Sequence, residues 1–284
     1  MVTLRATPFD EPLAVRLAKG PGDGVSLYWL GQAGFVIDAQ GERIVIDPYL
    51  SDSLAVKYRD AAFSHERMAP APLRADQLGP VDLMLCTHHH TDHMDGETLN
   101  LLAKRLPGLN FVVPAAAWEL AMQRIGVDAS RLIKIDAGDR MKIGNLELHV
   151  MRAAHETLER DEAGRHRFLG YGLEFGKVKI LHSGDTIPFP GQDEEIRALA
   201  PDLALLPVNG RSEALRTSGF AGNLTLSESI ALCARCGIGA MIAHHYGMFA
   251  FNTIAPDEIE NAVAQAPIAL RRARYGIEFR LDDA

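Results

Sequence analysis

Short apolar segments bounded by turn-forming residues occupy the first part of the chain and predict β-strands. They lie at residues 27–30, 35–38 and 43–47, and the segment at 38–41 predicts a hairpin turn between the last two. After a looser stretch with prolines at 51–80, strands and helices alternate. The predicted strands are 81–86, 111–113 and 132–135, and the predicted helices are about 95–106 and 115–125.

The second half of the chain shows the same mixture of hairpins and strand–helix pairs. Strands are predicted at 146–152, 170–175, 178–182, 203–208, 240–243 and 275–281, with a long loop at 209–223. Thr225 and Glu228 form a capping box that predicts the start of a helix ending at Gly237, and a further helix spans 256–264. This pattern indicates an α/β fold with mixed sheets, packed together with helices outside.

Composition and charge narrow the classes of protein that the chain can belong to. Of 284 residues, 47% are hydrophobic and 23% charged, which is typical of a folded globular protein. The 29 basic and 37 acidic residues give a net charge of −8, which argues against nucleic acid as a partner. We expect a cytoplasmic protein with no membrane contact, because residues 1–20 hold no signal-peptide core and no apolar stretch reaches about 20 residues.

The three cysteines, Cys86, Cys233 and Cys236, are too few and too scattered to predict a disulfide framework. Cys233 and Cys236 form a C-x-x-C pair within the predicted helix that ends at Gly237. Since no second pair exists in the sequence to complete a zinc knuckle, we interpret them as small buried thiols on one helix face.

A cluster of histidine and aspartate residues follows the predicted strand at 81–86, in the sequence T-H-H-H-T-D-H at 87–93. Alternate side chains of an extended segment point the same way, so His88 and His90 can bind one metal ion. The turn into the next helix directs Asp92 and His93 toward a second ion. The alternative is a loop of solvated histidines, but four histidines within six positions favour a metal site.

This H-x-H-x-D-H pattern after a hydrophobic strand resembles the signature of the metallo-β-lactamase superfamily. Further marks of that superfamily lie at the ends of predicted strands. Asp47 comes before the motif, and His155, Asp185 and His245 come after it. The resemblance spans about 27–251 and implies an αββα sandwich of two mixed β-sheets flanked by helices. It implies one domain over residues 1–284, with residues 1–20 as a peripheral N-terminal extension.

The resemblance implies a binuclear metal site with Asp185 as the bridging ligand. One ion would be bound by His88, His90 and His155, and the other by Asp92, His93 and His245. Imidazole and carboxylate ligands suit two divalent ions, zinc or manganese with iron also compatible. His244 competes with His245 for the last position; His245 is preferred because it directly precedes Tyr246, and His244 would point to the opposite face.

Within the superfamily, the chain resembles most the UlaG-type branch, the ascorbate-phosphate lactonases and their relatives. The supporting segments are W-L-G-Q-A-G at 29–34, I-D-P-Y at 46–49, H-S-G-D at 182–185, N-L-T at 223–225 and the pair at 244–245. These segments are less specific than the metal motifs, and a fold does not fix a substrate.

The resemblance implies a metal-dependent hydrolase in which a hydroxide shared by two ions attacks a small anionic lactone or phosphoester. Asp185 would bridge the ions and Asp92 would orient the hydroxide. His182 would either protonate the leaving group or support its neighbours from behind. Candidate substrate-binding residues are Arg165, Arg167, Arg211, Arg216, Tyr246 and Phe249, with solvated arginines and core aromatic residues as the alternatives.

Two other functions stay open at this point. A phosphodiesterase acting on nucleic acid or phospholipid is disfavoured by the net charge of −8 and the lack of a basic tract. A di-iron redox protein would normally carry a flavin domain or more carboxylate ligands. We expect a small-molecule substrate, and the chain is compatible with a homo-oligomer.

Overall fold

The computed structural model describes residues 2–283, which fold into two β-sheets with helices outside them. The strands are β1 (Val2–Pro8), β2 (Val25–Gly31), β3 (Gly34–Ala39), β4 (Glu42–Ile46), β5 (Leu83–Leu85), β6 (Asn110–Pro114), β7 (Leu132–Ile135), β8 (Arg140–Ile143), β9 (Leu146–Arg152), β10 (Leu169–Phe175), β11 (Val178–His182), β12 (Leu203–Pro207), β13 (Ala240–His244), β14 (Ala269–Arg272) and β15 (Ile277–Asp283). The helices are α1 (Leu13–Leu17), α2 (Ser53–Lys57), α3 (Gly96–Arg105), α4 (Trp118–Ile125), α5 (Gln192–Leu199), α6 (Glu213–Thr217), α7 (Leu226–Cys236) and α8 (Pro256–Val263).

Both sheets combine antiparallel hairpins with parallel strands. The first has the order β1-β15-β2-β3-β4-β5-β6-β7, and the second has the order β14-β13-β12-β11-β10-β9-β8. Strands β4 to β7 are parallel, as are β11 to β14, because a helix or long loop connects each pair. The prediction of two mixed sheets is confirmed.

Alternating side chains of the first sheet face two different apolar layers. Leu27 and Trp29 pack into the core between the sheets, whereas Tyr28 and Leu30 pack against the side chains of α1, α3 and α4. On the second sheet, α5, α7 and α8 cover the outer side. This period of two is what a strand buried on both faces requires, and the result is the predicted αββα sandwich.

The N-terminal segment is more closely joined to the fold than the sequence indicated. Residues 2–8 form the edge strand β1, which pairs antiparallel with β15 over its whole length. Leu4, Leu13 and Leu17 are buried. The segment is peripheral in position, but its backbone and apolar side chains are part of the first sheet and its helical layer.

Several elements were missed because their apolar patterns are short. Helix α5 buries Ile196 and Leu199 but is otherwise mostly polar, and β8 and β14 are four-residue strands at a sheet edge. The predicted loop at 209–223 contains the short helix α6. The capping box is present, since Thr225 Oγ1 accepts from the Glu228 N–H at 3.2 Å. Within residues 2–283, no helix has the length and apolar character needed to cross a membrane.

Candidate metal centre

The strands β4, β5, β9, β11 and β13 end at the same edge of the sandwich, where the motif residues follow them. The loop after β5 turns sharply, because the backbone oxygen of His90 accepts hydrogen bonds from the N–H groups of His93, at 3.1 Å, and Met94, at 2.7 Å. Arg124 of α4 donates to the Met94 oxygen at 3.1 Å and to the His89 oxygen. The turn and this guanidinium fix the loop that carries the histidines.

Asp47 supports this loop from the end of β4. One carboxylate oxygen accepts from the Thr87 N–H at 2.8 Å, and the other contacts the Thr87 hydroxyl at 2.5 Å and His93 Nδ1 at 2.7 Å. Asp47 is fully buried and has a positive φ of 46°, an uncommon backbone conformation for a residue other than glycine. With its Nδ1 held by Asp47, His93 presents Nε2 to the centre.

Two triads of potential ligands meet at this edge. In each triad the ligand atoms lie within 4.8 Å of one another: His88, His90 and His155 in the first, and Asp92, His93 and His245 in the second. Asp185 lies between them. Its Oδ2 is 3.3 Å from His93 Nε2 and 3.7 Å from His155 Nε2, and its Oδ1 is 3.1 Å from His245 Nε2. The seven predicted ligands are therefore brought together in the predicted grouping.

The donor set fits divalent cations. Among the described residues, His88 Nε2, His93 Nε2 and both ring nitrogens of His245 are buried and have no hydrogen-bond partner. Buried polar atoms without partners are costly, and imidazole nitrogens beside a carboxylate are ligands for zinc and similar ions. Divalent ions bound beside Asp185 would satisfy the Nε2 atoms of His88, His93 and His245.

The charges of the centre favour the metal-binding forms of His88, His155 and Asp185, and the protonated form of His93. Burial lowers the pKa of His88 well below its usual value and that of His155 to about 4, so both rings are neutral. Burial would raise the pKa of Asp185, but His245 and His93 hold it well below its usual value. Burial would likewise lower the pKa of His93, yet the surrounding carboxylates raise it well above the ordinary range. Neutral imidazole and ionised carboxylate are the ligand states, so a metal ion bound at this centre would have to displace the proton of His93.

A cavity of about 310 Å³ opens above the centre. His90, Asp92, His155, Asp185 and His245 form its floor. Aromatic side chains line much of its wall: Tyr58, His65, Phe220, Phe249 and Phe251. They form a packed group, in which the ring centroids of Phe220 and Phe251 are 4.9 Å apart.

Comparison with known proteins identifies the family. The family described as "Beta-lactamase superfamily domain" matches residues 42–246, more than half of the chain. The chain belongs to the metallo-β-lactamase superfamily. It is 27% identical over 240 residues to a UPF0173 metal-dependent hydrolase of Caldivirga maquilingensis, covering 83% of this chain and 88% of that protein.

Solved structures with a similar fold include a hydrolase and a hydroxylase. An isothiocyanate hydrolase from Delia radicum gut bacteria is 16% identical, with a TM-score of 0.72, over 89% of this chain and 97% of its own. CmlA, a diiron β-hydroxylase from Streptomyces venezuelae, is 14% identical, with a TM-score of 0.64, over 95% of this chain and 57% of its own. At these identities the likeness shows the fold alone.

The side chain of His245, and not that of His244, points into the candidate metal centre. His245 follows β13 with a φ of 60°, which turns its ring toward Asp185 and Asp92. His244 is the last residue of β13 and is fully buried, with its ring stacked on His182 at a centroid distance of 5.2 Å. One step along a strand reverses the side-chain direction, which is the reason anticipated from the sequence.

His182 does not reach the cavity, which corrects the interpretation of this residue as a proton donor. Its ring is fully buried; Nε2 lies 2.9 Å from the Ala33 carbonyl oxygen, and Nδ1 accepts from the Gly184 N–H at 3.1 Å. Because a carbonyl oxygen only accepts hydrogen bonds, Nε2 carries the ring proton and donates a hydrogen bond to the Ala33 oxygen. His182 therefore positions Gly184, and with it Asp185, from behind.

Except for Phe249, the candidate substrate-binding residues lie outside the metal cavity. Arg211 forms an ion pair with Glu228 at 2.6 Å, and Arg216 pairs with the exposed Glu213. Tyr246 is buried, stacks on Trp29 and donates its hydroxyl hydrogen bond to the Ala273 oxygen. Arg165 and Arg167 line a neighbouring cavity instead. Of the sequence candidates, Phe249 is the one that lines the metal cavity.

Other cavity residues escaped the sequence analysis. Gln32, in the segment at 29–34, donates to Asp92 Oδ2 at 2.8 Å. Lys57 and Arg124 are the cationic side chains lining the metal cavity among residues 2–283, and Phe220 comes from the loop at 209–223. Only Gln32 belonged to a segment already noted as a mark of the family. The others come from loops and helices whose positions the sequence pattern does not specify.

Proposed function

We propose that this chain is a binuclear metal-dependent hydrolase of small-molecule lactones, esters or phosphoesters. The observation that supports it is the position of the Asp185 carboxylate, 3.1–3.7 Å from ring nitrogens of three histidines that belong to two separate triads. Two divalent ions bound here would polarise the scissile carbonyl or phosphoryl group and lower the pKa of a water molecule toward about 7. The similarity to metal-dependent hydrolases agrees with this chemistry.

The chain's own residues supply orientation around this centre. Gln32 holds Asp92 Oδ2, and the Asp92 side chain lines the cavity and is 17% exposed, so it can orient a water molecule or accept its proton. Asp47 and Thr87 fix the ring of His93. Neither cationic side chain of the metal cavity is placed to bind a substrate oxygen deep inside it. Lys57 is exposed and can reach a substrate only at the rim of the cavity, and Arg124 is already engaged by backbone oxygens.

The aromatic wall favours a substrate with an apolar or aromatic group beside the bond that is cleaved. Phe220 packs on Phe63 and Phe251, at ring-centroid distances of 5.0 and 4.9 Å, and faces the cavity. A ring or alkyl chain placed there would bury apolar area without needing a hydrogen-bond partner. This wall is why we include neutral esters and lactones beside the anionic ones predicted from the sequence.

Phe220→Ala should lower kcat/KM for a phenyl-substituted ester by about tenfold, because one aromatic contact of the bound substrate is lost. The same change should leave kcat/KM for methyl acetate within about twofold, since that ester is too small to reach the wall. The pair of kcat/KM ratios, measured on metal-loaded protein, is the test. Equal losses for both esters would mean that Phe220 supports the fold of the cavity and not the substrate.

The pH dependence of kcat/KM should rise to a plateau, as expected when ionisation of a water molecule at the centre limits the rate. His182→Gln should keep this shape, since the wild-type ring is sealed from the cavity by its contacts with Ala33 and Gly184. Its effect should appear as a lower plateau or a lower metal content. A bell-shaped wild-type profile whose alkaline limb disappears in His182→Gln would restore the proton-donor role.

The general test is a panel of nitrophenyl esters, sugar lactones and phosphodiesters, assayed with zinc, manganese and iron and accompanied by metal analysis. The proposal expects about two ions per chain and turnover of at least one ester, lactone or phosphoester. Metal-loaded protein that hydrolyses none of the panel but consumes oxygen with a reductant present would overturn the hydrolase proposal in favour of di-iron redox chemistry.

A further inference from the structure

A second cavity of about 290 Å³ adjoins the metal cavity, and His89 lines both. Its walls are the start of α4, with Trp118 and Glu119, the strand β7 with Lys134, and the segment before β10 with Arg165 and Arg167. His89 is the free position of the H-x-H motif, between two of the proposed metal ligands. The second cavity therefore begins one residue away from the metal centre.

The charge of this second cavity is positive. Arg165 is paired with Asp161, at 2.6 Å, but Arg167 and Lys134 form no ion pair with any residue in the range 2–283. Lys134 is exposed, its Nζ lies 4.3 Å from the centroid of the Trp118 ring, and both side chains line the cavity. Glu119 is the one carboxylate among the described lining residues, so two free cations face a single acidic group.

The backbone of α4 adds to this positive character. Residues 115–120 line the cavity, and they include the first turn of this eight-residue helix. In the described structure, no side chain caps the helix at Ala117. The dipole of a helix favours anions near its start, and here the start of α4 shares a cavity with two cations that form no ion pair among the described residues.

Arg167 is linked to the metal centre by its neighbour in sequence. The Phe168 ring packs on three histidines of the motif loop, with centroid distances of 5.0 Å to His88, 5.7 Å to His89 and 5.6 Å to His90, and it lies 5.1 Å from His155. Phe168 also forms an isolated β-bridge with His88. The backbone that carries the Arg167 guanidinium is thus held against the ligands of the first triad.

We propose that Lys134, Arg167 and the start of α4 form an anion subsite, which binds a carboxylate or phosphate group of the substrate while the metal centre cleaves its ester or lactone bond. This inference rests on the proposed function and deepens it, because it assigns the charged end of the substrate to a cavity distinct from the one with the metal ligands. The aromatic wall would then contact the apolar part of the same molecule.

Binding can be tested apart from catalysis by titrating the metal-loaded protein with inorganic phosphate and, separately, with acetate. Trp118 lines the subsite, whereas the other tryptophan, Trp29, is buried against Tyr246, so intrinsic fluorescence reports on the subsite. Arg167→Gln and Lys134→Met should each weaken anion affinity about tenfold. Glu119→Gln should strengthen it. Lys142→Met, an exposed lysine on β8, is the matched control and should bind as wild type.

Anions can also bind metal ions, so Asp185→Asn completes the titration series. An affinity that survives in Asp185→Asn but falls in Arg167→Gln supports the subsite. An affinity that is lost in Asp185→Asn and kept in Arg167→Gln places the anion on the metals and overturns the proposal. The phosphate and acetate titrations, run side by side, show which of the two anions the subsite prefers.

The kinetic test compares a neutral phenyl ester with the matching ester that carries a terminal carboxylate or phosphate. Arg167→Gln should raise KM about tenfold for the charged ester and leave KM for the neutral ester unchanged. Equal KM changes for both esters would overturn the proposal. If no ester is hydrolysed but anion binding still depends on Arg167 and Lys134, the subsite stands and the hydrolase proposal fails.

Discussion

Asp185→Ala should reduce turnover by at least about 10³-fold, because the carboxylate lies within 3.7 Å of histidines from both triads and no other described side chain bridges them. Its removal would take away the carboxylate that lies between the two triads, and the affinity for both ions would fall. Metal content per chain and kcat should be measured together on the same preparation. Both are expected to drop, while the circular dichroism spectrum stays that of the folded protein.

Cys233→Ala is the matched control, since it also removes a buried side chain but one in α7, away from the centre. Burial raises the pKa of the Cys233 thiol to about 12, so a thiolate nucleophile is not available there. Activity of Cys233→Ala should remain near that of the wild type. A large loss in Cys233→Ala, with Asp185→Ala retaining its turnover, would contradict the metal-centred mechanism.

Asp38→Ala should lower the free energy of unfolding by about 3–5 kcal/mol, because it leaves a buried guanidinium without its counter-charge. Asp38 accepts two hydrogen bonds from Arg43, at 2.6 and 2.8 Å, and Arg43 is fully buried. The pair joins β3 to β4, and Arg43 also donates to the Leu17 oxygen of α1 at 2.8 Å. Urea unfolding followed by circular dichroism measures the change.

The comparison for this stability prediction is Asp76→Ala, which breaks the exposed Arg74–Asp76 pair and should change stability little. The double variant Asp38→Ala/Arg43→Met should recover part of the loss, since an apolar side chain needs no counter-charge. Unfolding midpoints that are equal for Asp38→Ala and Asp76→Ala would show that the buried pair does not stabilise the hairpin that leads to Asp47.

The candidate ligands could be located in the sequence because each follows a strand, and strand ends are visible as the point where an apolar run stops. The H-x-H-x-D-H run after β5 and the later residues His155, Asp185 and His245 all have this property, and the αββα fold followed from the resemblance that they carry. The preference for His245 over His244 depended on the alternation of a strand, which is a local rule. The short edge strands and α5 were missed because four to eight residues with few apolar positions give no clear period.

The residues around the candidate ligands could not be predicted in the same way. The sequence by itself determined the fold class, the family and the candidate ligands, since these depend on local spacing and hydrophobic period. Only the tertiary structure decided that His182 faces the core, that Arg211 is held by Glu228, and that Phe220 and Arg167 lie beside the centre in two different cavities. Those positions depend on how distant loops and helices pack against one another, and the distance between two such segments leaves no periodic trace along the chain.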